Sequence, residues 1–390
     1  MDEYQMAMED LFARRPDNVR SLKEIRAILN HWGNPQNAFP VIHVVGTNGK
    51  GSVSAKIANV LHRSGYKTAL FTSPHLFEYT ERIKIGEEEI SKQRVLSYYT
   101  ELLELIEEKG WNPNFFDCTT AFAFRYFKQE QIDVAVIEAG LGGRLDSTNV
   151  VSPILTVITT VEMDHIDYLG TTLEAIAYEK SRAIKEGIPV VVGPKACHLQ
   201  VIDRAKKMRA SISFACPTSS DYSMENKAIA RKSLEVLAER FSLDEKNINE
   251  GLSTELPCRF ERQGNLLFDG AHNPGGFAYL VEALRMHYPQ KKFRFLIGMG
   301  KNKDFEESLR MICPIAQHIH FAASSHPDAA SPEKLAEALQ KIYPLPFSIE
   351  SSSYLGMEKA KAALREEEIL VICGSFYLIG EIYHAQACKV

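Results

Sequence analysis

A glycine-rich stretch at residues 46–52 carries the residue types that bind phosphate. It reads Gly46, Thr47, Asn48, Gly49, Lys50, Gly51 and Ser52, and it lies between a β-branched run at 41–45 and apolar residues at helical spacing. In such a strand–loop–helix order, backbone N–H groups and the helix N-terminus attract phosphate, Lys50 can reach the terminal phosphates and Ser52 can face Mg²⁺. The general P-loop pattern is not met, because Val44 replaces its first glycine and Gly51 separates Lys50 from Ser52. An ordinary glycine-rich turn is the alternative.

An acidic residue at the end of a hydrophobic strand predicts a magnesium site. Residues 133–137 read Asp-Val-Ala-Val-Ile, and Glu138 follows, before a polar, glycine-rich run at 139–149. Mg²⁺ prefers oxygen and is usually held by one or two carboxylates plus phosphates. We therefore predict that Glu138 holds Mg²⁺ beside the glycine-rich stretch. The alternative is a purely structural loop, but that interpretation does not explain why so long a polar insert follows a core strand.

Two further strand ends carry polar residues. A predicted strand at 67–72 ends before Ser73, with Arg82 close behind, and a predicted strand at 154–161 is followed by His165. Ligands bind at the carboxyl edge of parallel sheets, although Ser-Pro is also common in turns. Arg82 either meets an anionic substrate or is solvated. Chemistry alone makes His165 a general base or a surface histidine.

Together these motifs resemble the folylpolyglutamate synthase / dihydrofolate synthase family, within the Mur ligase superfamily. The resemblance covers nearly the whole chain, with matching motifs at 46–52, 73–76, 138–149 and 269–274. It implies an α/β fold, in which a P-loop Mur-ligase-like central domain with a mostly parallel sheet is joined to a smaller Rossmann-like C-terminal α/β domain.

The resemblance also implies metal-binding and modified residues. Ser73, Glu138 and His165 are implied as ligands of two Mg²⁺ ions, although imidazole is an unusual ligand for so hard an ion. Lys180 is implied to be carbamylated, a reaction that needs the neutral amine and is helped by burial. Residues 181–182 are Ser-Arg where the family has a small pair, so an ordinary helix lysine is the alternative.

Nucleotide and substrate contacts follow from the same resemblance. The implied nucleotide-binding residues are 46–52, Asn226, Arg259 and Asp269; the implied catalytic residues are Lys50, Lys180 and His272; the implied substrate-binding residues are Arg82, Phe115, Phe116, Gly142 and Arg144. Phe115 and Phe116 are predicted to lie before an aromatic helix, where their faces suit a flat pterin ring. For the rings at 122–127, core packing is the better interpretation. Cys258 replaces the glycine of the family's Pro-Gly-Arg.

Alternating strands and helices are needed to position these residues. Further strands are predicted at 188–192, 266–268, 293–297, 319–322 and 369–373, and helices within 4–31 and at 91–108, 174–186 and 226–241. The segment 212–224 is predicted to be irregular, with Asn226 opening the next helix. Alternation of this kind predicts a mostly parallel sheet.

Length and composition restrict the class of protein. The length of 390 residues predicts two domains. The first, residues 1–255, would contain the N-terminal helices and the ATP-binding P-loop. The second, residues 256–390, would close over ATP and bind substrate. The net charge of −5 disfavours nucleic acid, and we expect neither a signal peptide nor a membrane-spanning stretch. The 7 scattered cysteines fit a reducing cytoplasm. We expect a cytoplasmic monomer.

The resemblance implies an ATP-dependent, amide-forming ligase of folate biosynthesis. A carboxylate of dihydropteroate or folate attacks the γ-phosphate of ATP, giving an acyl phosphate and ADP, and the amine of L-glutamate then displaces phosphate. Three alternatives stay open: only one of the two folate activities, a Mur-type ligase for another acid, or an NTPase without ligase chemistry. The NTPase would turn over ATP without acid or amine.

Overall fold

A computed structural model describes residues 2–15, 20–218 and 221–387 of the chain. It divides into two compact units, the first comprising Met1–Val161 and Thr172–Thr254, the second Glu162–Thr171 and Glu255–Val390. The second unit begins one residue before the predicted boundary and also takes in residues 162–171. The predicted helical stretch 4–31 and both predicted domains include residues that lie outside the described ranges.

Strands and helices alternate along the chain, as predicted. The strands are β1 Val41–Val45, β2 Thr68–Phe71, β3 Ile83–Ile85, β4 Glu88–Glu89, β5 Val134–Glu138, β6 Leu155–Ile158, β7 Val190–Val192, β8 Ile212–Phe214, β9 Glu261–Gln263, β10 Leu266–Phe268, β11 Lys292–Ile297, β12 Ala316–Phe321, β13 Phe347–Ile349 and β14 Glu368–Cys373. The α-helices are α1 Glu3–Ala13, α2 Lys23–His31, α3 Lys50–Arg63, α4 Lys92–Lys109, α5 Phe115–Gln129, α6 Ile166–Leu169, α7 Leu173–Ser181, α8 Leu199–Lys207, α9 Tyr222–Val236, α10 Glu245–Leu252, α11 Pro274–His287, α12 Phe305–Ile312, α13 Pro332–Ile342, α14 Ser353–Ala362 and α15 Phe376–Ala387. None of the helices in the described part of the chain has the length and apolar character that a membrane span requires.

The first unit is built on an eight-stranded sheet in the order β4-β3-β2-β5-β1-β6-β7-β8. All pairs from β2 to β8 are parallel, and only β3 and β4 add antiparallel strands at one edge. Every residue of β1 and β5 is buried, as expected for parallel strands covered by helices on both faces. This order places the carboxyl ends of β2, β5, β1 and β6 side by side, which confirms the predicted mostly parallel sheet.

Helices pack on the two faces of this sheet through separate apolar clusters. One cluster contains the predicted core rings Phe122, Phe124 and Phe127 of α5, together with apolar residues of α1, α2 and α4. The other joins α3, α9 and α10 to the opposite face. Burial of both faces holds the strand ends in fixed positions relative to the loops that follow them.

The second unit contains a six-stranded sheet in the order β13-β12-β11-β14-β10-β9. Its strands are parallel except for β9, which pairs antiparallel with β10. Helices α11, α12 and α13 contribute apolar side chains to its core. This is the predicted Rossmann-like α/β arrangement, with the loop after β10 at the carboxyl edge of the sheet.

The prediction for the segment 212–224 was wrong. Residues 212–214 form β8, which pairs in parallel with β7 and extends the sheet. The following helix begins at Tyr222, because the side chain of Asp221 accepts hydrogen bonds from two backbone N–H groups of its first turn. Asn226 therefore lies in the second turn of α9 and does not open the helix.

The predicted position of Phe115 and Phe116 before the helix was also wrong. They are the first two residues of α5, where Asn114 caps the helix by accepting hydrogen bonds from the N–H groups of Phe116 and Asp117. The Asp117 side chain in turn accepts a bond from the N–H of Asn114, which completes a capping box. The capping box at Asn114 thus sets the start of the helix at Phe115, before the position that the aromatic pattern had indicated.

Candidate active site

The glycine-rich stretch adopts the predicted strand–loop–helix geometry. Helix α3 begins at Lys50, and Gly49 before it has a φ of 81°, a left-handed conformation that favours glycine. The Nζ of Lys50 donates a hydrogen bond to the backbone oxygen of Thr47, 3.1 Å away, so the side chain folds back over its own loop. Ser52 lies in the first turn of the helix, whose N–H groups can bind an anion.

Two threonines at the end of β6 hold this loop in place. The N–H of Thr47 donates to the backbone oxygen of Thr160 at 3.0 Å, and the N–H of Asn48 donates to Oγ1 of Thr160 at 2.9 Å. The hydroxyl of Thr159 donates to the backbone oxygen of Asn48 at 2.6 Å. Sequence reasoning missed both threonines, and the available signal was a polar pair directly after a strand that neighbours β1.

The glycines of the loop permit close approach by two other elements. A Cβ on Gly46 would collide with the hydroxyl of Thr159, and one on Gly49 would collide with the side-chain oxygen of Asn226. Asn226 on α9 thus lies directly against the loop. From this position the side-chain amide of Asn226 can contact a molecule bound at the glycine-rich loop, as its predicted role in nucleotide binding requires.

Glu138 and Ser73 meet at the same edge of the sheet. The N–H of Ser73 donates to Oε2 of Glu138 at 3.0 Å, and Glu138 pairs in register with Val44 of β1. Within the described ranges, no three His, Cys, Asp or Glu side chains cluster to bind a metal. Mg²⁺ needs no such cluster, because it keeps several waters and is bound by one or two carboxylates plus phosphates. The buried carboxylate of Glu138, which lies against the backbone of Ser73, fits that ion. His165, the third predicted ligand, lies in the segment that groups with the second unit.

Buried hydrogen bonds shape the loop that follows β5. The carboxylate of Asp146, 1% exposed, accepts hydrogen bonds from the N–H groups of Leu141 and Thr148 at 2.7 and 3.0 Å. Thr148 is also bonded to Nε2 of the buried His43 at 2.8 Å. Burial, together with the charge of Lys185, lowers the pKa of His43 to about 3, so its imidazole is neutral. These hydrogen bonds therefore fix the backbone of the loop that carries the predicted residues Gly142 and Arg144.

The same loop is clamped to helix α7. The Nε of Arg144 donates to Oε1 of Glu179 at 2.9 Å, and the N–H of Arg144 donates to the backbone oxygen of Glu179, also at 2.9 Å. A Cβ on Gly143 would lie 2.8–3.1 Å from backbone atoms of Glu179 and Lys180. Lys180 is 2% exposed, and burial of this kind would help the predicted carbamylation. Arg182 donates to the hydroxyl of Tyr178.

An aromatic cluster surrounds Arg82. The guanidinium lies 5.0 Å from the ring centroid of Phe115, and its Nε donates to Nδ1 of His75 at 2.7 Å. Phe115 stacks on Phe12 of α1 with a centroid separation of 5.0 Å. Since Arg82 is only 3% exposed, the alternative that it is solvated was wrong. The ring of Phe116 lies directly against Gly140 in the loop after β5.

In the second unit, polar groups converge on Asp164. Its carboxylate accepts hydrogen bonds from Nζ of Lys303 at 2.6 Å and from the amide of Asn273 at 2.8 Å, and both His165 and His272 place Nε2 3.7 Å from it. Burial alone would raise the pKa of Asp164, but the neighbouring positive charges hold it well below its usual range. These bonds explain why residues 162–171 group with the second unit. The sequence did not indicate roles for Asp164 and Lys303.

The turn after β10 is ordered by Asp269. Its carboxylate accepts hydrogen bonds from the N–H groups of Ala271 and Phe260 at 2.8 and 2.9 Å. Nδ1 of His272 donates to the backbone oxygen of Gly270 at 2.8 Å, and burial together with the charge of Lys303 lowers the pKa of His272 to about 4. Nε2 of His272 is therefore a neutral acceptor at neutral pH.

Arg259 and Cys258 lie beside this turn. The guanidinium of Arg259 lies over the ring of Phe376, 4.6 Å from its centroid. Cys258, which replaces the family's glycine, has a φ of 60°. The turn therefore retains here the left-handed backbone that glycine adopts most easily.

Two family models match the chain. The Mur ligase middle domain matches residues 44–266, and the Mur ligase glutamate ligase domain matches residues 258–376. The dihydrofolate synthase/folylpolyglutamate synthase of Bacillus subtilis is 31% identical, over 97% of this chain and 98% of that protein.

Solved structures agree with these matches. Escherichia coli FolC in complex with DHPP and ADP superposes with a TM-score of 0.90 and 25% identity, covering 99% of this chain and 98% of that one. The bifunctional folylpolyglutamate synthase/dihydrofolate synthase of Yersinia pestis, complexed with AMPPNP and Mn ion, gives a TM-score of 0.89 and 26% identity, covering 99% and 98%.

Proposed function

Since the chain belongs to the Mur ligase family, in its folylpolyglutamate and dihydrofolate synthase branch, we propose that it joins L-glutamate to dihydropteroate, to folate polyglutamate, or to both. Membership confirms the predicted family, fold class and enzyme class, an ATP-dependent amide-forming ligase. The observation that carries the proposal is that Glu138 ends β5 beside β1, the strand that leads into the glycine-rich loop and Lys50. Relatives bound to ADP, AMPPNP and Mn ion support use of a nucleotide and a divalent metal.

In the first unit, the chain's own residues would bind and orient the phosphates of ATP. We propose that the N–H groups of residues 46–52 bind phosphate oxygens and that Nζ of Lys50 moves from Thr47 to the γ-phosphate. Glu138 and Ser73 would hold Mg²⁺, which neutralises charge as the acid's carboxylate attacks the γ-phosphate. That attack would release ADP and give an acyl phosphate, and the amine of L-glutamate would then attack its carbonyl carbon, form the amide and release phosphate.

Substrate and helix contacts complete this proposal. Arg82, Phe115 and Phe116 would form the site for the flat ring of the acid, supported by the stacking of Phe115 and the burial of Arg82. Gly142 and Arg144 would contact the same substrate from the loop after β5. We propose that Lys180 is carbamylated, since burial favours its neutral amine.

For the second unit, we propose nucleotide contacts by Arg259 and Asp269 and a phosphate-facing role for His272. His165 is proposed as a ligand of a second Mg²⁺ ion. The neutral Nε2 of His272 can accept a hydrogen bond from a protonated oxygen or a water. We further propose that the protein acts as a monomer.

The test is product formation by the purified chain. ATP, Mg²⁺ and L-glutamate are supplied with dihydropteroate in one reaction and with reduced folate in another, and products are identified by mass. Product from both acids means a bifunctional enzyme, and product from one means a single folate activity. Phosphate release without glutamate, or with neither acid, would contradict the ligase proposal. Lys50→Met serves as the matched inactive variant.

A further inference from the structure

Three cations of the first unit lie close together near the end of the polar run 139–149. Arg26 lies on α2, Lys185 follows α7 and Arg204 lies on α8. Nζ of Lys185 donates to the backbone oxygen of Asn149 at 3.1 Å, and Nη2 of Arg204 donates to that of Ile184 at 3.2 Å. The charges of Arg204 and Arg26 add to burial in lowering the pKa of Lys185 to about 8.

These cations have no acidic partner in the part of the chain that the structure describes. Among the described residues, no carboxylate lies within ion-pair distance of Arg26, Lys185 or Arg204, although the chain carries 50 Asp and Glu against 45 Lys and Arg. In addition, Nε of Arg204 is buried without a hydrogen-bond partner. Like charges held together without a counter-ion are unfavourable, and an anion would relieve the repulsion.

A cavity of about 510 Å³ is lined by one of these cations, Arg26, but not by Lys185 or Arg204. Its lining includes Arg26, Asn30, Asn34, Gln36 and Val150, the residue after the backbone oxygen that Lys185 binds. Gln36 is 8% exposed, and its Nε2 donates to Oδ1 of Asn34 at 3.2 Å. Its Oε1 has no hydrogen-bond partner among the residues that the structure describes. A buried amide oxygen without a donor is costly, so it points to a ligand that supplies one.

We propose that this cavity, the α2 pocket, binds a multivalent oxyanion that also carries an N–H or O–H donor. Arg26 is the charged partner of the anion, and Oε1 of Gln36 accepts the donor. A cavity of this volume accommodates a small organic molecule. Monohydrogen phosphate and a short glutamyl peptide both have this chemistry, and the experiment distinguishes them. The proposal does not depend on the ligase reaction.

Backbone amide chemical shifts measure binding at the α2 pocket directly. The ¹⁵N-labelled full chain is first saturated with Mg²⁺ and AMPPNP, so that the glycine-rich loop is occupied. Inorganic phosphate is then titrated into one sample and tri-γ-glutamate into another. We expect saturable shift changes at residues 23–36 and 149–150 with at least one anion, and the anion that produces them identifies the source.

Variants assign these changes to the pocket. Because Arg26 is exposed, Arg26→Gln should fold normally and weaken binding by about tenfold or more, since a charge-assisted hydrogen bond is lost. Gln36→Leu should also weaken binding, and Lys206→Gln, an exposed cation on α8, should bind as the wild type does. The proposal is overturned if neither anion shifts residues 23–36, or if Arg26→Gln and Gln36→Leu bind both anions as tightly as the wild type.

Discussion

Replacing Gly143 by alanine tests the clamp between the loop after β5 and helix α7. The new Cβ would lie 2.8 Å from the backbone oxygen of Glu179 and 3.0 Å from that of Lys180. Neither is the flexible end of a side chain, so relief requires a backbone shift. Moving from 2.8 Å to an ordinary contact of 3.4 Å takes a displacement of about 0.6 Å.

The expected cost follows from two opposing effects. Overpacking of this kind typically lowers the free energy of unfolding by about 1–3 kcal/mol. Alanine also restricts the unfolded chain relative to glycine, which returns about 0.4–1 kcal/mol. We therefore expect Gly143→Ala to lower the free energy of unfolding by about 1–2 kcal/mol and the Tm by roughly 2–8 °C. Because the displaced backbone carries Lys180, for which we propose a catalytic role, ligase turnover should fall by about tenfold or more.

Denaturant unfolding, thermal unfolding and ligase turnover are measured on the same samples. The matched control is Gly300→Ala, where the nearest atom to the new Cβ is 3.7 Å away and the same restriction of the unfolded chain applies. The control should unfold at or slightly above the wild-type midpoint. If Gly143→Ala matches Gly300→Ala in stability and the wild type in turnover, the clamp is not as described.

Three further predictions concern charge. Burial raises the pKa of Asp117 to about 6, so the folded chain binds the proton of this carboxyl group more tightly than the unfolded chain does. The stability that the protonated carboxyl group contributes is complete below about pH 4 and is lost as the pH rises through 6. Asp117→Asn should therefore raise the free energy of unfolding at pH 8 by at most about 3 kcal/mol, with no difference near pH 4, and equal effects at both pH values would contradict this. Lys50→Met should lower kcat by about a hundredfold or more at unchanged unfolding midpoint, and near-normal kcat would exclude the proposed phosphate contact. Glu138→Gln keeps an acceptor for the N–H of Ser73 but loses the charge, so half-maximal activity should need about tenfold more Mg²⁺, and an unchanged Mg²⁺ titration would refute a metal role.

Local sequence signals predicted much of the fold. Alternation of β-branched runs with helical spacing indicated the parallel sheets, because a buried strand and an amphipathic helix each have a characteristic period. The glycines around Lys50 and the acidic end of β5 indicated which strand ends carry chemistry. The errors at 115–116 and at the start of α9 arose where an Asn or Asp cap set the start of a helix, whereas β8 was missed because its pairing with β7 is a tertiary contact.

The sequence by itself determined the order of elements, the glycine-rich loop and the strand-end carboxylate, since each is encoded within a few consecutive residues. Only the tertiary structure decided the partners that hold them. Thr159 reaches Asn48 across 111 residues, Arg144 reaches Glu179 across 35, and Lys303 reaches Asp164 across 139. Such pairs depend on which strand lies next to which and on which helix packs over a loop. The local periodicity of the sequence does not contain that information, because these groups meet only when the sheet has formed.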